Sequence, residues 1–214
     1  MVLKDNKGGG MARKTKEDAQ KTRDAILDGA ERTFLAKGVA NAAMADIADA
    51  AGVSRGAVYG HYENKLEVCQ AMIDRAFALD ALRFPAPGAS AGDTLRDAAS
   101  YYLAQFLEPG SPQRVYQILY QKCEQIPENR SILRRREMAD RLTMHFVRRQ
   151  LRRAIAQEEM PAALDIGLAA DYLVCLFSGL YELLENGPDA LPRCERILRG
   201  ALEGLPHAAS FTKA

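Results

Sequence analysis

The residues best suited to chemistry lie between positions 54 and 65. Arg55 follows Ser54 at the predicted start of a short helix, where a guanidinium could pair bidentately with O6 and N7 of guanine. Gly56 has no side chain, so the helix could approach base edges closely. Hydroxyl, imidazole and ammonium groups suited to DNA phosphates follow, on Tyr59, His61, Tyr62 and Lys65. This combination indicates recognition of double-stranded DNA.

A helix-turn-helix pattern in residues 44–63 would present these side chains. Ala48 is the small residue needed where the two helices cross, and Gly52, four positions later, tolerates the positive φ of the turn. Ser54 can cap the second helix and leave its first turn exposed. The apolar side chains that would hold the pair against a supporting helix are Ile47, Ala51, Val53 and Val58.

The supporting helix is predicted over residues 15–38, since a capping-box-like Thr–Asp pair opens it and apolar residues recur at helical spacing. A short basic arm, residues 12–16, precedes it, and Lys14 in this arm is a candidate phosphate contact. Residues 1–10 have the composition of a leader or tag and are expected to be disordered.

A proline- and glycine-rich segment, residues 84–92, divides the chain. It separates a predicted DNA-binding domain, residues 11–83, from a second domain, residues 84–214. No strand alternation is present, so the fold class is all-α: an N-terminal three-helix helix-turn-helix domain and a C-terminal helical domain. Helices are expected in the second domain at residues 93–107, 113–126, 129–159, 162–185 and 190–205.

Composition narrows the classes of protein that fit. A hydrophobic share of 48% excludes wholesale disorder, and a net charge of +1 means that DNA contact must come from local geometry rather than from a bulk positive field. With no signal peptide and no apolar run long enough to cross a bilayer, we expect a cytoplasmic protein that does not bind membranes.

Neither a metal site nor a catalytic site is expected. The four cysteines lie far apart, which argues against zinc and against a disulfide framework. The three histidines, His61, His145 and His207, lie in unrelated segments, and no nucleophile elbow or phosphate loop is present. We therefore predict that the chain is not an enzyme and needs no cofactor.

The sequence resembles a known family most clearly in residues 38–65, GVANAAMADIADAAGVSRGAVYGHYENK, which are similar to the signature of TetR-family repressors. Residues 12–23, ARKTKEDAQKTR, are similar to the AcrR-type branch, which controls multidrug efflux pumps. The N-terminal resemblance covers about a third of the chain. In the second domain, residues 118–124, ILYQKCE, resemble a segment of that branch's ligand domain.

This resemblance implies a ligand-responsive transcriptional repressor of a multidrug efflux operon. It would bind a palindromic operator as a homodimer, because a helix-turn-helix of this size contacts only a few base pairs. A small lipophilic or aromatic compound would release it from the operator.

Two apolar stripes in the last two predicted helices could fill the domain's own core or form a dimer surface. The resemblance favours a four-helix dimer interface. The predicted interface residues are Tyr172, Leu176, Leu180, Leu183, Ile197, Leu198 and Ala201.

The middle helices mix hydroxyls and aromatic rings with aliphatic side chains, as small-molecule sites do. Met72, at the junction of the two predicted domains, could transmit ligand occupancy. The predicted ligand-binding residues are Met72, Leu95, Ala99, Tyr102, Tyr116, Tyr120, Thr143, Val147, Val174, Phe177, Ser178 and Tyr181.

The chain departs from the family pattern in ways that weaken DNA binding. The family has a Thr–Thr pair where this chain has Ala42 and Ala43, and Ala43 can neither cap a helix nor contact a phosphate. Glu63 puts an anion near the expected phosphate path. These departures keep open the alternative of a ligand-binding dimer with weakened DNA binding. A second alternative is a redox-sensing repressor of the same fold, switched by Cys69 or Cys123.

Overall fold

The computed structural model of the chain describes residues 8–78, 90–107, 110–184 and 187–212. Within these ranges the chain is helical, apart from an isolated bridge between Leu164 and Thr212, which confirms the predicted all-α class. The helices are α1 (Gly8–Asn41), α2 (Met44–Ala51), α3 (Arg55–His61), α4 (Lys65–Ala78), α5 (Ala91–Leu107), α6 (Ser111–Gln117), α7 (Arg130–Ala156), α8 (Ile166–Leu184) and α9 (Leu191–Gly204). A π-helical turn continues α6, and shorter 3₁₀ turns complete the described elements, at Ile118–Lys122, Pro127–Asn129, Pro188–Ala190, Leu205–His207 and Ala209–Phe211.

The N-terminal helix begins earlier than predicted. It starts at Gly8 rather than at Thr15, so residues 8–10 of the expected leader are helical. Residues 1–7 lie outside the described residues, as does most of the predicted loop at residues 84–92.

Gly38 interrupts α1 at the position where the sequence predicts its end. Its backbone is left-handed, with φ 78° and ψ 164°, a conformation that favours glycine. A Cβ atom at this position would also collide with the carboxylate of Glu124. That carboxylate accepts a hydrogen bond from the N–H of Ala40 (2.8 Å), so it satisfies a donor that the break in the helix leaves without a helical partner.

The chain divides into two compact units. The first unit contains residues 1–79 and 114–134, and the second contains residues 80–113 and 135–214. Residues 84–214 are predicted to form one domain, whereas residues 114–134 pack with the N-terminal helices. The reason is hydrophobic: Ile118, Leu119 and Ile132 are buried in the same core as the residues of α1 and α4.

A buried carboxylate also joins the helices of the first unit. Glu31 on α1 is fully buried, and its two oxygens accept hydrogen bonds from Arg75 Nη2 on α4 and Arg114 Nε on α6, each at 2.7 Å. Arg75 contacts α1 twice more, at the carboxylate of Asp28 (2.7 Å) and the carbonyl of Asp24 (3.2 Å). We call Glu31, Arg75 and Arg114 the Glu31 cluster; it ties α1, α4 and α6 to one another.

The second unit is built on contacts among α5, α8 and α9. The carboxylate of Glu159 holds the start of α5, since it accepts from the N–H groups of Ala91 (3.1 Å) and Gly92 (2.9 Å). The largest fully buried apolar side chains of the second unit are Leu103, Leu151, Leu164, Leu180 and Leu184.

Two predicted helices have different bounds in the structure. The helix expected over residues 113–126 spans α6 and the π-helical turn, and ends where Cys123 becomes extended (φ −99°, ψ 101°). The helix expected from residue 162 begins at Ile166, because the carboxylate of Asp165 caps it by accepting from the N–H groups of Gly167 (2.9 Å) and Leu168 (3.1 Å).

Candidate nucleic-acid interface

The turn between α2 and α3 has the geometry that a helix-turn-helix requires. Gly52 ends α2 in the left-handed region, with φ 66° and ψ 30°. Its N–H donates to the carbonyl of Asp49 (3.2 Å), and Val53 N–H donates to the carbonyl of Ala48 (3.1 Å), closing the end of the helix. A Cβ atom on Gly52 would meet nothing within 4 Å, so the backbone angle alone selects glycine here.

Ser54 begins the recognition helix α3. Its Oγ accepts a hydrogen bond from the N–H of Ala57 (3.1 Å), which is the predicted N-cap. Arg55 and Gly56, the first two residues of α3, are exposed. A Cβ atom at Gly56 would meet only Ser54 Oγ, at 3.9 Å, so the chain's own packing does not require glycine there. The missing side chain instead leaves room for a molecule outside the chain.

Tyr59 and His61 also lie on the outer part of α3. The side chain of Tyr59 is 59% exposed although it is large and aromatic. His61 is half-buried, and its ring centroid lies 6.3 Å from that of Tyr62. Val58 on the opposite side is completely buried and holds α3 against the core.

Tyr62 faces inward, in contrast to the predicted phosphate contact. It is the C-cap of α3, and its extended backbone (φ −144°, ψ 134°) turns the side chain into the core, where it is 4% exposed. The guanidinium of Arg23 on α1 lies 5.8 Å from its ring centroid. Burial raises the pKa of the Tyr62 hydroxyl. The structure therefore gives Tyr62 a packing role.

Lys65 has a structural partner as well. Its ammonium donates hydrogen bonds to two backbone carbonyls at and just after the end of α1, those of Ala40 and Ala42, the latter at 3.0 Å. A cation at a helix C-terminus satisfies carbonyls that have no helical partner and interacts favourably with the helix dipole. Lys65 thus fixes the end of α1 rather than pointing away from the domain. The side chain of Lys14, the remaining predicted phosphate contact, lies outside the described side chains.

The start of α2 shows how the chain manages without a capping side chain at Ala43. The Asp46 carboxylate accepts from the Ala43 N–H (3.0 Å) and pairs with Lys37 Nζ (2.8 Å). This is the reciprocal half of a capping box, whose other half needs a side-chain oxygen at Ala43. Hydrogen bonding to Lys37 first, and to the Ala43 N–H second, holds the pKa of Asp46 below its usual value. The signal for this contact, an acid three residues after the cap position, is present in the sequence.

Glu63 remains an exposed anion beyond the end of α3. Its N–H donates to the carboxylate of Glu67 (2.6 Å), which places a second acid beside it. The neighbouring Asn64 caps α4, accepting from the N–H groups of Leu66 and Glu67 at 3.0 Å each. Hydrogen bonds therefore hold the turn, and both acids are exposed.

The predicted ligand-binding residues are divided between the two units. In the first unit, Met72 is fully buried, and Tyr116 and Tyr120 stack with ring centroids 4.3 Å apart. In the second unit, Tyr181 contacts the rings of Phe106 and Phe177, with centroids 4.8 Å away in each case. The other members placed in the second unit are Leu95, Ala99, Tyr102, Thr143, Val147, Val174 and Ser178.

Ser178 differs from the other members of this set. It is exposed, and its hydroxyl donates to the carbonyl of Val174 one turn earlier in α8 (3.0 Å). Leu95 and Val147 are buried, and Ala99, Tyr102, Thr143 and Val174 are half-buried. Within the second unit, the inward-facing part of the predicted set is therefore the part without Ser178. In the first unit, Tyr120 is also exposed, at 38%.

The predicted dimer residues separate into two groups. Leu180 (1% exposed) and Leu198 (4% exposed) are buried within the chain itself, and the Cys194 thiol donates to the Leu180 carbonyl at 3.7 Å. These two side chains therefore belong to the core of the second unit. Half-burial leaves the rest accessible from one side, namely Tyr172, Leu176, Leu183, Ile197 and Ala201.

The cysteines named for a redox switch are poorly placed for one. Cys69 is 0% exposed and Cys123 is 6% exposed, and a buried thiol is out of reach of an oxidant. Burial also raises the pKa of Cys194. Cys175, in contrast, is exposed.

Comparison with known proteins identifies a family, beginning with a match to the N-terminal helices. Residues 26–72, from within α1 to within α4, match the model of the "Bacterial regulatory proteins, tetR family". The HTH-type transcriptional regulator TtgR of Pseudomonas putida is 33% identical over 210 residues, covering 95% of this chain and all of the relative.

Solved structures show a likeness over most of the chain. MexZ, a key repressor responsible for antibiotic resistance in Pseudomonas aeruginosa, superposes with a TM-score of 0.82 at 49% identity, covering 91% of this chain and all of MexZ. NalD, the secondary repressor of the MexAB-OprM multidrug efflux pump in the same species, superposes with a TM-score of 0.66 at 28% identity, covering 89% of this chain and 98% of NalD. These relatives are regulators, in agreement with the prediction that the chain is not an enzyme. The chain belongs to the tetR family of bacterial regulatory proteins.

Proposed function

We propose that this chain is a transcriptional repressor that binds a palindromic operator as a homodimer and is released by a small lipophilic or aromatic compound, with a multidrug efflux operon as its target. The observation that carries the DNA-binding part is the start of α3, where Ser54 caps the helix and leaves Arg55 and Gly56 exposed. The target operon rests on the relatives, since NalD is named as a repressor of a multidrug efflux pump. Such a protein works where the chromosome is, in the cytoplasm.

Base recognition is assigned to Arg55, and contacts to the phosphates of the DNA backbone are assigned to Tyr59 and His61. An exposed arginine in the first turn of a recognition helix can reach guanine in the major groove, and Gly56 beside it permits close approach. Tyr59 exposes its ring and hydroxyl for phosphate contact. Tyr62 and Lys65 act indirectly in this proposal, by holding α3 and the end of α1 in place.

Dimerisation is assigned to α8 and α9. By length and composition, α8 is long and apolar enough to cross a membrane. Only 22% of this apolar stretch is buried within the chain. The charged side chains of Asp171 and Glu182 on its exposed side favour a protein partner over lipid. A second copy covering this surface would place two recognition helices on one operator.

Release is assigned to the second unit. The cluster of Phe106, Phe177 and Tyr181 offers aromatic faces to an apolar ligand. A compound releases the dimer only if it binds more tightly to a state that cannot hold the operator. Bound ligand must therefore weaken binding of the operator, and bound operator must weaken binding of the ligand.

A salt titration tests the proposal. The DNA is the intergenic segment beside the chain's own gene, and binding is measured by fluorescence anisotropy for the natural chain, Arg55→Ala and Arg152→Ala. Arg152 is an exposed arginine on α7, so its variant loses the same charge from a helix outside the helix-turn-helix. We expect Arg55→Ala to weaken binding roughly 5- to 150-fold, as for loss of a bidentate base contact worth about 1–3 kcal/mol.

Either of two results would count against the proposal. Equal losses of DNA affinity in Arg55→Ala and Arg152→Ala would mean that binding depends only on the net charge of the chain. No binding at low salt by a folded dimer would mean that Ala43 and Glu63 have disabled DNA binding, and would favour the alternative of a ligand-binding dimer.

A further inference from the structure

The inward face of α7 in the second unit carries a buried polar side chain, Gln150, among buried apolar ones. Val147, Leu151 and Ala154 are buried on this face, and so is Gln150, at 5% exposure. Thr143 precedes Gln150 by seven residues, two turns of helix, so the two side chains lie on the same face, about 10 Å apart along the axis.

The side-chain carbonyl of Gln150 has no hydrogen-bond partner among the residues that the structure describes. Its Oε1 atom is buried and makes no hydrogen bond there. A buried acceptor normally has a partner, because leaving it unsatisfied costs stability. Gln150 is therefore an acceptor placed inside the second unit without a donor from the described chain.

Two hydrogen bonds show which helix Gln150 faces. Arg153 Nη1 donates to Thr94 Oγ1 (3.4 Å), and the side-chain carbonyl of Gln157 accepts from Ala91 N–H (3.1 Å). Arg153 lies in the last turn of α7 and contacts α5 at Thr94, whereas Gln157, directly after the end of α7, contacts the earlier residue Ala91, so the two helices are antiparallel here. Since both helices rise equally per residue, Gln150 lies across from the turn of α5 that holds Ala98 and Ala99.

This part of α5 cannot supply the missing donor. Ala98 and Ala99 have methyl side chains, and helical N–H groups at this position are already bonded within α5. The small side chains leave more room beside Gln150 than larger ones would. One turn further along α5 are Tyr102 and then Phe106, whose ring contacts Tyr181.

We propose that Gln150 is the hydrogen-bond acceptor of the ligand site in the second unit, and that the site takes compact aromatic molecules carrying an O–H or N–H donor. The inference rests on the proposed release by a small molecule and adds a residue and a ligand class to it. The donor satisfies the Gln150 carbonyl, and the aromatic body packs against the apolar part of the face. A ligand of the same shape without a donor leaves the carbonyl unsatisfied, so the site discriminates against it.

The test compares naphthol with its methyl ether, two probes that share an aromatic body but differ in the O–H donor. Their dissociation constants are measured by isothermal titration calorimetry on the full chain without DNA. We expect naphthol to bind the natural chain roughly 3- to 10-fold more tightly than the ether, as for one net hydrogen bond. Gln150→Met, which keeps the length of the side chain and removes its carbonyl, should abolish this preference. Gln125→Met, at an exposed glutamine, should retain it.

Thermal unfolding separates a ligand-binding role from a structural one. Ligand-free Gln150→Met should unfold at the same temperature as the natural chain or higher, since a buried unsatisfied carbonyl is removed. Gln150→Leu serves as the second variant if the methionine variant does not fold. A lower unfolding temperature together with an equal loss of affinity for both probes would overturn the inference, because it would show that Gln150 supports the fold.

Three binding results would also overturn it: equal affinity of the two probes for the natural chain, a preference for naphthol that survives in Gln150→Met, or no binding of either probe. None of these would touch operator recognition, which the Arg55→Ala titration tests without any ligand. The two proposals can therefore fail independently.

Discussion

Lys65 and Ala43 both act where α1 ends and α2 begins, one helix before the recognition helix. The ammonium of Lys65 binds carbonyls at and just after the end of α1, and Asp46 binds the N–H of Ala43 from within α2. Neither contact reaches α3, yet both define the backbone on which it rests. At the scale of single residues, the DNA-binding surface therefore depends on side chains that touch only the protein.

Replacing Lys65 by methionine should lower the free energy of unfolding by about 1.5–3 kcal/mol, because its charge-assisted bonds to the Ala40 and Ala42 carbonyls are lost. Urea denaturation measures the change. Lys21→Met is the control, since the Lys21 side chain is 80% exposed and its only described ion pair is a long one to Asp18. Unchanged stability together with a salt dependence of operator binding that drops by about one charge would instead assign Lys65 to a phosphate.

Ala43→Thr should raise the free energy of unfolding by ~0.5–2 kcal/mol, because the hydroxyl can accept from the start of α2 and complete the capping box that Asp46 half forms. Ala43 is exposed and its backbone is already extended (φ −112°, ψ 156°), so the side chain meets no strain. Ala43→Val has the same shape without the hydroxyl and serves as the control in thermal denaturation. Equal stability of the two variants would show that capping at this position contributes nothing.

At the scale of elements, the Glu31 cluster joins three helices that are distant in sequence. A fully buried carboxylate is stable only when it is paired, and here both oxygens are bonded. The two guanidiniums are less buried, with side chains 23% exposed for Arg75 and 38% for Arg114. The arginines can therefore be rehydrated after a substitution more easily than Glu31 can.

Removing one partner from the Glu31 cluster should be strongly destabilising. We expect Arg75→Met to cost about 3–5 kcal/mol and Arg114→Met less, because Arg75 also bonds Asp28 and Asp24 whereas Arg114 is the more exposed arginine. Chemical denaturation of both variants ranks them, with Glu128→Gln at an exposed carboxylate as the control. The reverse order would mean that the contact to α6 dominates.

At the scale of the whole molecule, the proposed pairing of two chains depends on the outer side of α8. Leu168 is 48% exposed, and a Cβ atom on Gly179 would meet nothing within 4 Å of its own chain. Leu180, next to Gly179, is fully buried within the chain. Adjacent residues of one helix thus separate the proposed dimer surface from the core of the second unit.

Substitutions at these neighbouring positions should therefore have different effects, on dimer formation at Gly179 and on stability at Leu180. Gly179→Arg should leave the chain folded and shift it from dimer to monomer in analytical ultracentrifugation, with loss of operator binding. Leu180→Ala should lower the free energy of unfolding by about 2–5 kcal/mol, because it opens a cavity in the core. A dimer that persists in Gly179→Arg would show that this face of α8 is not the interface.

Local sequence patterns alone determined the helix-turn-helix, including Gly52 in the turn and Ser54 as the N-cap, because capping and turn geometry depend on residues within a few positions of each other. The all-α class followed from helical spacing in the same way. Arg55 and Gly56 were identified as exposed for the same local reason.

Only the tertiary structure decided which way the side chains beyond α3 turn. The patterns suggested that Tyr62 and Lys65 point to DNA and that Leu180 and Leu198 face a partner, but all four have partners within the chain. Segment 114–134 likewise packs with the N-terminal unit through the Glu31 cluster and the buried residues around Ile118. A helical pattern shows that a face is apolar but does not say what covers it, since burial depends on residues far apart in sequence that meet only when the chain folds.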